Sequence, residues 1–123
     1  MSKKVLIVED DDFLQGLEAK KLTKEGYDVL VASNGEQAFK QIDEHRDINI
    51  ILLDLLLPEI DGFTILAKIR EDNKIPNVPI IVFSNLAEDK DIARANKLGV
   101  NDFMVKSNFT LDELVAKLKS LIG

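Results

Sequence analysis

The chain has 123 residues, of which 46% are apolar and 31% charged, with a net charge of -6 and no cysteine. That length suits one compact domain with its own core, and no apolar run approaches the roughly 20 residues that span a bilayer. Disulfides, thiolate nucleophiles and Cys-ligated metals are excluded, and the acidity opposes nonspecific nucleic-acid binding, which needs cations to displace phosphate counterions. The first residues carry no secretory cleavage pattern, so a cytoplasmic protein without a membrane anchor is expected.

A strand over residues 4–9 opens the chain with Val5-Leu6-Ile7-Val8 and runs into the acids Glu9-Asp10-Asp11-Asp12. Helical spacing follows over 12–25, with Gly26 beyond its end as a stop signal. A strand over 27–32 leads to Asn34, a capping residue type, and then to a helix over 35–45. His45, the sole histidine, sits among Asp43, Glu44, Arg46 and Asp47 and reads as solvated, a poor phosphodonor.

The third strand, 49–54, is apolar on consecutive positions through Ile50-Ile51-Leu52-Leu53 and ends on a lone carboxylate, Asp54. A charge is rarely left where a buried strand meets its loop unless something there binds it. Leu55-Leu56-Leu57-Pro58 and Asp61-Gly62 lead to a helix over 62–72, a strand over 78–83, and a helix over 88–98 stopped by Gly99. The last pair is a strand over 100–105 and a helix over 110–122, announced by Thr110 and Glu113 in a capping-box pattern.

Five strand-helix repeats are too few for an eight-unit barrel. Consecutive apolar positions in the strands mean cover on both faces, so the expected fold is α/β: a doubly wound, five-stranded parallel sheet in the flavodoxin-like order 2-1-3-4-5, with helices on both faces. In that order the first and third strands are neighbours about 4.8 Å apart, and their C-terminal ends border the switch point where such folds bind ligands. Asp10 and Asp54 become close neighbours, and two carboxylate-bearing strand ends imply one metal-dependent site. Three carboxylates there, counting Glu9, repel by roughly a few kcal/mol per pair at an effective dielectric near 20, which favours a divalent cation. Oxygen-only ligands suit magnesium, which keeps waters and leaves room for a phosphoryl group.

Over essentially its whole length, 1–123, the chain resembles the receiver domain of two-component response regulators. The matching pieces are Val5-Leu6-Ile7-Val8-Glu9-Asp10-Asp11, Leu53-Asp54-Leu55-Leu56-Leu57-Pro58 with Asp61-Gly62, Ile81-Val82-Phe83-Ser84, and Gly99-Val100-Asn101-Asp102-Phe103-Met104-Val105-Lys106. The resemblance implies that Asp54 accepts a phosphoryl group from a phosphohistidine of a sensor histidine kinase or His phosphotransfer protein. Asp10, Asp54 and the backbone carbonyl of Leu56 would ligate magnesium (or manganese), Glu9 would help through water, and Lys106 would stabilise the phosphoryl oxygens. It also implies a switch at Ser84 and Phe103 that alters a surface of the fourth helix, fifth strand and fifth helix, read by a downstream protein. Such a domain is no enzyme beyond its own phosphorylation and dephosphorylation.

Simpler roles stand beside these. Asp10 to Asp12 could cap the first helix, Asp54 could begin a turn, Ser84 could be a helix cap, Lys106 a surface lysine, and Phe103 a core aromatic. A receiver-like module that is never phosphorylated is the main alternative. A small aspartyl-nucleophile hydrolase is disfavoured because position 14 is Leu and no cap fits in the chain. A flavin module is disfavoured because the loop after the first strand is acidic.

Departures from the family pattern are expected to matter. Ser107 follows Lys106 where a cis proline is usual, so either a trans bond places the lysine differently or a strained cis bond is held. Asn85 replaces the small residue usual after the strand-4 hydroxyl. Leu56 and Leu86 occupy the two positions that flank the path of a hydrolytic water, and neither can orient one. The chain ends just after its fifth helix, as a stand-alone or excised receiver would, and a monomer or a phosphorylation-linked homodimer is expected, with Arg94, Asp102 and Lys117 as charges for its interface.

Overall fold

The computed structural model describes residues 2–123; Met1, the first residue of the expected 1–123 domain, lies outside the described residues. Five strands alternate with five helices: β1 Lys4–Val8, α1 Asp12–Lys24, β2 Asp28–Ala32, α2 Gly35–Glu44, β3 Ile50–Leu53, α3 Gly62–Asp72, β4 Ile80–Ser84, α4 Asp89–Lys97, β5 Asp102–Val105 and α5 Leu111–Ile122. The strands form one parallel sheet in the order β2-β1-β3-β4-β5, as the sequence predicts.

Period-two alternation along each strand builds two cores. Leu6, Val8, Ile51, Leu53 and Val82 face α2, α3 and α4 through Ala38, Ile42, Leu66 and Ala95, while Val5, Ile7, Ile50, Leu52 and Ile81 face α1 and α5 through Leu22, Leu114 and Leu118. Consecutive apolar positions are therefore needed in the central strands because both faces are covered.

Local signals set the helix ends. Asp11, Asn34 and Asp61 each accept a backbone N–H from the first turn of α1, α2 and α3, and Thr110 with Glu113 closes a capping box on α5. Gly26 and Gly99 take φ of 97° and 84° just past α1 and α4. Asp11 thus fills the capping role the sequence left open for the first acid cluster, while Asp10 stays free of it.

Gly62 fixes the loop that follows β3. A Cβ there would lie 2.4 Å from Leu55 Cα and 2.7 Å from the Asp54 carbonyl oxygen, so only glycine lets α3 start against the strand end. Its N–H donates to the Leu55 carbonyl at 3.0 Å.

Three expectations need adjustment. β4 ends on Ser84, not before it, because Ser84 pairs with Val105. β5 begins at Asp102; Asn101 ahead of it donates its N–H to the Ile80 carbonyl and accepts the Ile80 N–H on its side chain. His45 is half-buried as the C-cap of α2, not fully solvated. Among the described residues no helix is long and apolar enough to cross a membrane.

Candidate functional site

The β1 and β3 ladder carries two acids past its last pair to the C-terminal edge of the sheet. Val8 pairs with Leu53, and beyond them the Asp54 N–H donates to the Val8 carbonyl at 3.0 Å. On the other side, the Glu9 N–H donates to the Ala32 carbonyl at 2.9 Å. Gln15 reinforces this turn, its side-chain amide donating to the Glu9 carbonyl at 2.8 Å. One carboxylate oxygen each from Glu9, Asp10 and Asp54 lie within 4.8 Å of one another. Glu9 and Asp54 are buried, and Asp10 faces solvent.

Both oxygens of Asp54 are engaged. Oδ1 accepts from the Ser84 hydroxyl at 2.6 Å and from the Leu56 N–H at 3.0 Å, and Oδ2 accepts from the Lys106 ammonium at 2.5 Å. Lys106 also donates to Glu9 Oε1, and Glu9 Oε2 accepts the Asp11 N–H at 3.2 Å. The sequence-nominated residues Glu9, Asp10, Asp54, Ser84 and Lys106 therefore meet at one point, and Leu56 adjoins it through its backbone. Ser84 is no helix cap and Lys106 no snorkelling surface lysine.

The electrostatics follow from burial and pairing. Burial pushes the Glu9 carboxyl above its ordinary pKa, the Lys106 bond opposes this, and the nearby Asp54 charge adds to it. For Lys106, burial disfavours the charged form, but its bonds to Asp54 and Glu9 outweigh that and hold the ammonium above its usual value. One lysine thus offsets two buried carboxylates, leaving negative charge and an exposed third acid. That is the charge and oxygen-only donor set a hard divalent cation takes.

Peptide bonds among the described residues are all trans, including Lys106–Ser107. Of the two geometries the sequence allowed, the trans bond is the one found, and Lys106 still reaches Asp54. It does so from the start of a single 3-10 turn, Lys106–Asn108.

Phe103 is half-buried and packs against the α2, α3, α4 core, and Leu86 packs there too. Leu56 is half exposed beside the carboxylate. The charges nominated for a dimer contact are engaged within the chain: Lys117 pairs with Asp102 at 2.9 Å, and Arg94 stacks on the Phe63 ring at 4.3 Å.

Sequence reasoning missed Glu18. It lies in α1 one turn before Leu22, facing the same core, with Oε1 lacking a hydrogen-bond partner among the described residues. Burial, and then the charge of Glu9, push its pKa up to about 8. Helical periodicity places it on the buried stripe, but a lone Glu is ordinarily a surface residue, and that prior hid it.

The chain belongs to the response regulator receiver family, whose model, described as the response regulator receiver domain, matches residues 5–119. It is 32% identical over 121 residues to the chemotaxis protein CheY1 of Helicobacter pylori strain J99, covering 98% of this chain and 97% of that one. Over 119 residues it is 41% identical to the transcriptional regulatory protein KdpE of Staphylococcus aureus, covering 97% of this chain but 49% of KdpE. The chain thus spans about half the length of that relative. A solved structure of the receiver domain of Francisella response regulator 1452 superposes with a TM-score of 0.88 at 30% identity, over 98% of this chain and 96% of the other.

Receivers of this family act in two-component signalling, between histidine kinases or phosphotransfer proteins and downstream targets, and are not enzymes in the ordinary sense. They bind magnesium through acidic residues, and Glu9, Asp10 and Asp54 form such a cluster.

Proposed function

We propose that residues 1–123 form a phosphoacceptor unit in which Asp54 receives a phosphoryl group from the phosphohistidine of a sensor kinase or His phosphotransfer protein. The observation that carries this reading is the pair of donors on Asp54. Ser84 at the end of β4 and Lys106 just past β5 hold its two oxygens, and Glu9 and Asp10 lie beside the buried carboxylate.

A carboxylate oxygen of Asp54 forms a bond to phosphorus as the bond from phosphorus to the imidazole nitrogen breaks, and the imidazole leaves with the electron pair. Asp10, Asp54 and the Leu56 carbonyl, with Glu9 through water, would hold magnesium, which would supply neutralisation of the phosphoryl oxygens. Lys106 exchanges its Asp54 contact for a phosphoryl oxygen. Ser84 follows the added charge in the same way, and Phe103 moves with the β4 end. Because these contacts are made in one arrangement and not the other, phosphorylation shifts the population of the α4, β5, α5 surface that a partner protein reads.

Against a never-phosphorylated module stands the reach of Lys106, which contacts Asp54 despite Ser107 and the trans bond. The Asp54→Asn variant is expected to take up no phosphate from acetyl phosphate with magnesium, measured by intact mass, whereas the wild type gains one phosphoryl group. Full labelling of the variant would move the acceptor elsewhere.

A further inference from the structure

Asn85 and Ser107 sit one residue beyond the two side chains that hold Asp54. The β4–β5 ladder ends at the pair Ser84 and Val105, and past it the Ser107 N–H donates to Asn85 Oδ1 at 3.0 Å. Ser107 stands in the first turn of the 3-10 segment Lys106–Asn108, where an N–H has no acceptor within the helix. The Asn85 side chain supplies the acceptor from the neighbouring loop, 22 residues away in sequence.

The consequence lies at Lys106. Its ammonium is carried on a flexible four-carbon stem, so where it points depends on where its backbone is held. Inward, Ser84 and Lys106 meet at Asp54; outward, their sequence neighbours Asn85 and Ser107 meet each other. A proline at position 107 would have no N–H to give. The two departures from the family pattern noted in the sequence are thus one hydrogen-bonded pair.

We propose that Asn85 is a positioning residue: by holding the Ser107 N–H it ties the residue after β4 to the 3-10 segment and so fixes the backbone from which Lys106 reaches Asp54. This deepens the phosphoacceptor reading and rests on it. Asn85 touches no reacting atom, and its effect passes through Lys106 alone.

The test is a double-mutant cycle of Asn85→Ala and Ser107→Pro in the full chain, with Asn85→Asp as the variant that keeps an acceptor at the same reach. Phosphorylation by acetyl phosphate is followed with magnesium. Asn85→Ala is expected to lower the maximal rate by about fivefold, the rate equivalent of one hydrogen bond, with the half-saturating acetyl phosphate concentration unchanged. Asn85→Asp is expected to stay within about twofold of wild type, and the double variant to be no slower than the slower single one. A wild-type rate in Asn85→Ala, an equal loss in Asn85→Asp, or losses that multiply in the double variant would overturn the proposal.

A wild type that takes up no phosphate would instead sink the phosphoacceptor reading, and the pair is then judged by NMR on the unlabelled, metal-free protein. Asn85→Ala is expected to speed exchange of the Ser107 amide about tenfold and to shift the Lys106 side-chain signals. Unshifted Lys106 signals would overturn it.

Discussion

Asp54 and Glu18 are two buried carboxyls with opposite fates. Asp54 accepts three hydrogen bonds, one of them from an ammonium, whereas Glu18 has an oxygen with no partner among the described residues. A buried carboxyl so placed keeps its proton in the folded state. With its pKa raised from 4.5 to about 8, the folded protein binds one more proton than the unfolded chain between those values. Stability should therefore fall as pH rises through that window, by up to about 1.4 kcal/mol per pH unit, and level off above it. Glu18→Gln should abolish this slope, and Glu18→Leu should stabilise by about 1–3 kcal/mol near neutral pH, both measured by urea unfolding without metal. An unchanged slope in Glu18→Gln would place the titration on another group.

Leu56 adjoins the same Asp54 carboxylate. Its N–H holds Asp54 Oδ1 while its side chain, half exposed beside the carboxylate, offers no polar atom to an approaching water. Leu86, the other apolar side chain nominated beside that path, packs against the core. The phosphorylated protein should lose phosphate slowly, and Leu56→Asn or Leu86→Gln should accelerate the loss by about tenfold, followed by mass over time. Equal rates in wild type and both variants would show that these side chains do not control the water.

At the scale of elements, the start of α3 decides where Asp54 sits. Gly62→Ala would drive a methyl group into the Leu55 backbone, 2.4 Å away, where nothing flexible can yield. Destabilisation of about 1–3 kcal/mol in urea unfolding is expected, with slower phosphorylation because the Asp54 loop is displaced. Wild-type stability would mean that α3 shifts freely.

Elements were legible where physics is local. Asn34, Thr110 with Glu113, Gly26 and Gly99 announce helix ends because caps and left-handed turns are made by the residue itself. The apolar run places the fourth strand over 78–83, one residue short of Ser84, whose pairing with Val105, 21 residues later, makes it strand. Glu9, Asp10 and Asp54 are readable because each follows a strand that borders the switch point of a known strand order, whereas Ser84 and Lys106 are readable through the resemblance to the receiver family. Glu18 and the contact between Asn85 and Ser107 are not, since each depends on a partner, or the lack of one, that no local pattern encodes.

For the whole molecule, the sheet order does the essential work. Placing β3 between β1 and β4, with β5 next to β4, brings the carboxylate that follows β3, the acids that follow β1, the hydroxyl that ends β4 and the ammonium that follows β5 to one edge. No segment of the chain could assemble these groups alone. Negative charge remains there after Lys106 is counted, and that residual charge is what a magnesium ion and then a phosphoryl donor would meet.

The most direct measurement is to treat the protein with acetyl phosphate, reduce any acyl phosphate with borohydride, and map the reduced residue by peptide mass spectrometry, with magnesium and with chelator. Reduction at Asp54 alone, seen with magnesium and lost with chelator, is the result expected. Reduction at another residue, or equal reduction at Asp54 in chelator, would contradict the account.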